Sequence, residues 1–126
     1  MKKIISILLM LSISVFAEGF YSYKEALEEA KTDNKIVILF LTQAGCPSCE
    51  YMKKKVFTNS EVEKKLSSEF IVVELDIHTD KIPAKFEFIG TPTFYMVNKN
   101  GKKLDFFYGG LKVKSFLKRL QEVSKK

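Results

Sequence analysis

Metal-ligating and disulfide-forming side chains are scarce in this sequence. Its 126 residues include one histidine, His78, and two cysteines, Cys46 and Cys49. A closed structural zinc site takes about four ligands, so two thiols and one distant imidazole support such a site poorly. The cysteines stand three apart in Cys46-Pro47-Ser48-Cys49. A ring that small hardly constrains an unfolded chain, which excludes a stabilising staple as the reason for the pair. Internal repeats and low-complexity linkers are also missing, leaving one domain with one modest core. No apolar run is long enough for a comfortable membrane span. Basic residues outnumber acidic ones by 21 to 15, for a net charge of +6. The lysines alternate with glutamates along expected helices, however, which is the pattern of a solvated surface. Nucleic acid is therefore not an expected partner.

What is present begins with a leader. Met1-Lys2-Lys3 is a short basic start, Ile4 to Phe16 is apolar but for serines, and Val15-Phe16-Ala17 closes the run. That is the layout of a cleavable secretory signal over residues 1–17, with residues 18–126 as the mature domain. No cysteine lies near the cleavage point, which argues against a lipid anchor. An exported chain meets an oxidising compartment, where a close cysteine pair reads most economically as redox chemistry.

Ser22-Tyr23-Lys24-Glu25 has capping-box spacing and starts a helix to about Lys31. Ile36 to Leu41 is a continuous β-branched and apolar run, too short for a helix and suited to a strand buried on both faces. A loop through Gly45 leads to Pro47 at a first helical position. Met52, Val56 and Phe57 supply the apolar side of that helix, Asn59-Ser60 interrupt it, and Val62 and Leu66 carry a further turn or two. Phe70 to Leu75 reads as a strand, and Pro83 to Phe88 as a short helix. Thr93 to Val97 and Lys103 to Tyr108 pair through an Asn98–Gly101 turn. Val113, Phe116, Leu117 and Leu120 line one face of a terminal helix. The expected fold is α/β, a central mixed sheet with helices on both faces.

The cysteine pair falls between a buried strand and a helix start. Backbone N–H groups and the helix dipole favour an anion there, so a thiolate forms below the ordinary thiol pKa of about 8.5. Cys46, at the outer end, is the expected nucleophile toward a partner's disulfide. Cys49, one turn inward on the same face, is placed to resolve the mixed disulfide. Pro47 fixes φ without removing a needed donor.

Through these residues the mature chain resembles the thioredoxin superfamily. Lys35 to Cys49 is similar to that family's central strand and active-site helix, and Lys85 to Thr93 to the segment leading into its cis-proline loop. The resemblance implies a thioredoxin-like fold in which Thr91–Pro92 is cis and faces the cysteines. It also implies that Thr91, Pro92 and Gly45 contact substrate, with Pro47 and Ser48 inside the motif. The run Cys49 to Val62 is similar to exported bacterial members, including the C-terminal periplasmic domain of the transmembrane thiol reductant transporter. A periplasmic monomer follows, with protein thiols and disulfides as substrates and a membrane or periplasmic electron-transfer partner. No organic cofactor or metal is implied beyond the redox-active Cys46–Cys49 disulfide.

The chain departs from the family pattern at three places. Gly45 replaces the usual tryptophan, and the chain has none anywhere. Phe40 stands where thioredoxins proper keep a buried aspartate that helps deprotonate the second cysteine. Glu74 is the candidate proton acceptor in its stead, with a plain surface carboxylate as the other reading. Glu50 follows Cys49 where a basic residue is common, and would oppose the thiolate if it pointed inward. Pro47 and Thr91 lean toward oxidant and isomerase members, while the likeness to the transporter domain leans toward reduction. The expected activity is protein-disulfide reduction. The alternatives are a periplasmic oxidant or isomerase, a copper-binding module using Cys46, Cys49 and His78, and a purely structural role.

Overall fold

The computed structural model describes residues 22–126; the expected leader lies outside the described residues. Helix α1 (Tyr23–Asp33) starts where the capping pattern puts it, the Ser22 hydroxyl accepting the Glu25 N–H at 3.1 Å. Strand β1 (Ile36–Thr42) follows, buried from Val37 onward. The chain then forms α2 (Pro47–Tyr51), a π-helical stretch over Met52–Val56, and α3 (Ser60–Glu69). Asn59 caps α3 by accepting the N–H groups of Glu61 and Val62. Strands β2 (Phe70–Asp76), β3 (Thr93–Val97) and β4 (Lys103–Tyr108) precede α4 (Val113–Ser124). Among the described residues no helix is long and apolar enough to cross a membrane.

The four strands form one mixed sheet in the order β2-β1-β3-β4. β1 runs parallel to β2 and antiparallel to β3, and β3 is antiparallel to β4. Alternation along β1 sends Ile38 and Phe40 to one face and Val37, Leu39 and Leu41 to the other. The first face is covered by α2, the π stretch, α3 and α4, and both cysteines belong to its core. The second is covered by α1 and by Phe86.

Aromatic rings dominate the cysteine face. Phe94 stacks between Phe40 and Phe107 with centroids 4.9 and 4.5 Å away, and Phe57 meets Phe40 edge-on at 5.4 Å. Phe40 is fully buried in this stack, so the position that holds an acid in thioredoxins proper is here a packing position.

Two local expectations need correction. Pro83 to Phe88 is not a helix but a single turn, closed by the Phe86 N–H on the Pro83 carbonyl at 3.0 Å. Helix nucleation is costly for so few residues, and tertiary anchors decide the path instead. Phe86 is buried against Tyr23 and Tyr95, and the Tyr95 hydroxyl donates to the Glu87 carbonyl at 2.6 Å. The helix after Cys49 is also not uniform, because it widens into a π stretch whose buried residues are Met52 and Val56. The Met52 sulfur accepts the Leu111 N–H at 3.3 Å, tying this stretch to the approach to α4.

Phe94 packs at the centre of the stack, so Phe94→Ala should lower unfolding stability by about 3–5 kcal/mol. Urea denaturation followed by circular dichroism checks this; a loss under about 1 kcal/mol would contradict the packing described.

Candidate active site

Cys46 is the N-cap of α2, in extended conformation, with Pro47 in the first turn. The two cysteines are joined by a disulfide. The Cys46 sulfur also accepts the Cys49 backbone N–H at 3.2 Å. This bond belongs to the helix start, and on reduction it would be directed at a Cys46 thiolate. Cys46 is 8% exposed and Cys49 1%, so neither thiol stands out in solvent but only Cys46 has an outward approach. Beneath them lies the apolar core that includes Met52, Phe40 and Phe94.

Gly45, just before the pair, has φ +73°, and open space surrounds the place where its Cβ would be. A side chain would be strained in this backbone conformation, and the position offers no aromatic platform beside the thiols. Pro47 and Ser48 are exposed on the turn that carries the pair.

The cis-proline loop reaches the same end of the sheet because Leu41 pairs with Thr93. The Thr91–Pro92 bond is cis, Pro92 is buried, and its carbonyl accepts the Gly109 N–H at 2.8 Å. Gly90 is required by close approach, since a Cβ there would lie 2.7 Å from the Tyr108 hydroxyl. Of the phenylalanines, Phe86, Phe94 and Phe107 are core, while Phe88 and Phe106 are exposed. Phe88 precedes the cis-proline loop, next to Ile89, which is 94% exposed.

The charged groups expected near the thiols are turned outward. Glu50 pairs with Lys53 and Lys54, each at 3.4 Å, and these two hold its carboxyl below the usual range, Lys54 most strongly. Glu74 lies beside Phe40 across the β1–β2 pairing, but its side chain is 43% exposed and bound to Lys53 at 2.9 Å. Lys53 is in turn raised, first by Glu74 and less by Glu50. The pH window of these pairs follows from the directions. The Lys53 contribution is complete below about pH 10.4 and lost only as pH rises past its raised value. The Glu50 contribution is complete above about pH 4.3 and lost as pH falls through its lowered value. Neither titrates where a thiol does.

Gln43, assigned no role from the sequence, and His78, read there as a possible copper ligand, join the site. The Gln43 amide donates to the Thr91 hydroxyl at 2.8 Å, and its oxygen meets the His78 ring at 2.9 Å. His78, read as a possible ligand, is thus an exposed hydrogen-bonding partner of the loop beside the cysteines. Among the described residues no group of three or more His, Cys, Asp or Glu is arranged to hold a metal ion. A glutamine three residues before Cys46 was the available signal, but its partners lie 35 and 48 residues away in sequence.

A family profile described as a thioredoxin-like domain matches residues 23–124. A thioredoxin from Thermus thermophilus, solved in solution, is similar at 28% identity and a TM-score of 0.72, covering 84% of this chain and 86% of that one. A structure described as DsbH oxidoreductase is 24% identical with a TM-score of 0.67, covering 86% of each chain. The oxidised C-terminal domain of Neisseria meningitidis DsbD is 19% identical with a TM-score of 0.65, covering 83% of this chain and 98% of the domain. The last two likenesses speak for the fold alone.

In reduced protein, iodoacetamide should label Cys46 with a pH midpoint clearly below 8.5 and Cys49 at least about tenfold more slowly. Peptide mass spectrometry over pH 5–9 reads both rates; equal labelling would contradict the geometry.

Proposed function

Because the chain belongs to the thioredoxin-like family, we propose that it is an exported thiol–disulfide oxidoreductase that reduces protein disulfides through Cys46 and Cys49. One observation carries the reading: the outward Cys46 caps a helix and is disulfide-bonded to the inward, buried Cys49. In the working direction the pair starts as a dithiol. The Cys46 thiolate attacks one sulfur of the substrate disulfide, and the other substrate sulfur leaves as a thiolate and takes up a proton. Cys49, once deprotonated, attacks the Cys46 sulfur and expels the second substrate thiol. The substrate gains two electrons and two protons, and the enzyme is left as the Cys46–Cys49 disulfide. A dithiol protein at the membrane or in the periplasm returns the two electrons.

The disulfide itself carries the electrons, so the reaction calls for no organic cofactor or metal, and the chain acts as a monomer. Residues 1–17 support export, through their basic start, apolar run and Val15-Phe16-Ala17 ending. A protein substrate is supported by the likeness to the family's cis-proline loop: the Thr91–Pro92 bond is cis, and in this reading the Thr91 backbone pairs with an extended substrate segment. Glu74 serves as proton acceptor for Cys49 only if it leaves Lys53.

A second reading, an oxidant that installs disulfides, has its own support. The Cys49 N–H directed at the Cys46 sulfur favours the thiolate, and a stabilised thiolate makes the disulfide more oxidising.

Insulin reduction in the presence of dithiothreitol tests the activity. Wild-type protein should accelerate it, Cys46→Ser should abolish the acceleration, and Cys49→Ser should accumulate a covalent adduct through Cys46 visible on non-reducing gels. Acceleration by Cys46→Ser at the wild-type rate would overturn the assignment.

A further inference from the structure

We propose that Gln43 is a positioning residue that sets the cis-proline loop for substrate, with His78 holding its amide in the required orientation. The proposal rests on the disulfide-exchange reading above and assigns a role that this reading does not need. Gln43 lies in the loop between β1 and Cys46, half-buried, and its Nε2 donates to Thr91 Oγ1 at 2.8 Å. The redox loop and the cis-proline loop are thereby joined side chain to side chain at the residue that the disulfide-exchange reading assigns to substrate pairing.

The orientation of that bond is not self-determined. A threonine hydroxyl donates as readily as it accepts, so Thr91 alone would take either end of an amide. The second contact supplies the choice that we assign: His78 Nε2 lies 2.9 Å from Gln43 Oε1, and in the Nε2–H tautomer it is a donor that only the amide oxygen can satisfy. In that tautomer the Gln43 nitrogen is left to donate to the Thr91 hydroxyl. His78 is fixed in turn, since its backbone N–H donates to Asp76 Oδ1 at 2.8 Å and the Asp76 N–H donates to Asp80 Oδ2 at 2.7 Å. Three segments meet in this arrangement: the turn after β2, the redox loop and the cis-proline loop.

Such a clamp acts on substrate engagement and not on sulfur chemistry. Losing it should let Thr91 change rotamer and move the peptide that a substrate strand pairs with. The loss of about one net hydrogen bond corresponds to roughly fivefold in KM.

The test uses the mature chain with insulin as the disulfide substrate, comparing Gln43→Ala, Thr91→Val, the double variant and His78→Ala. Gln43→Ala and Thr91→Val should each raise KM roughly fivefold with kcat within about twofold. The double variant should be no worse than either single one, because both remove the same bond. His78→Ala, a change at an exposed position, should raise KM by a smaller factor in the same direction. Wild-type KM in Gln43→Ala, or effects that multiply in the double variant, would overturn the clamp. A wild-type chain inactive on insulin would overturn the disulfide-exchange reading instead.

Discussion

A strand with no solvent on either face must pair along both edges, and β1 does so, parallel to β2 and antiparallel to β3. Most of the site follows from that pairing. The loop leaving β1 carries Gln43, Gly45 and Cys46, and the loop entering β3 carries Thr91 and Pro92. The Leu41–Thr93 register brings the two loops to the same end of the sheet. A slip of one residue would turn Phe40 out of the aromatic stack as well as separate the loops. Core packing and site assembly are therefore one constraint.

The same core sets the environment of the thiols. Phe40, Phe94 and Phe57 put aromatic carbon under the cysteines where a carboxylate would assist proton removal. Glu50 and Glu74, the acids considered for the thiols, are occupied at the surface by Lys53 and Lys54. What remains to favour a thiolate is the backbone at the start of α2, chiefly the Cys49 N–H. Electrostatic control of this pair rests on helix geometry more than on side-chain charge.

Much of this was legible in the sequence. Ile36 to Leu41 suited a strand buried on both sides, Ser22 announced a helix start, and the position of Cys46-Pro47-Ser48-Cys49 after a strand located the disulfide. The Pro83 to Phe88 turn was misread because its local spacing suits a helix, while the contacts that shape it, with Tyr23 and Tyr95, are distant in sequence. The π stretch was invisible for a similar reason: Met52 and Val56 keep their apolar spacing whether the helix is regular or widened. Gln43 and His78 carried no pattern at all, because a hydrogen bond between loops leaves no periodicity.

The equilibrium reduction potential of the Cys46–Cys49 pair against glutathione, read from alkylated fractions, tests the central claim most directly. A reductase requires a value near that of thioredoxin, about −270 mV, so that electrons run from the pair to substrate disulfides. A value near −120 mV would contradict the account and make the protein an oxidant, and a pair that does not titrate would remove the catalytic assignment altogether.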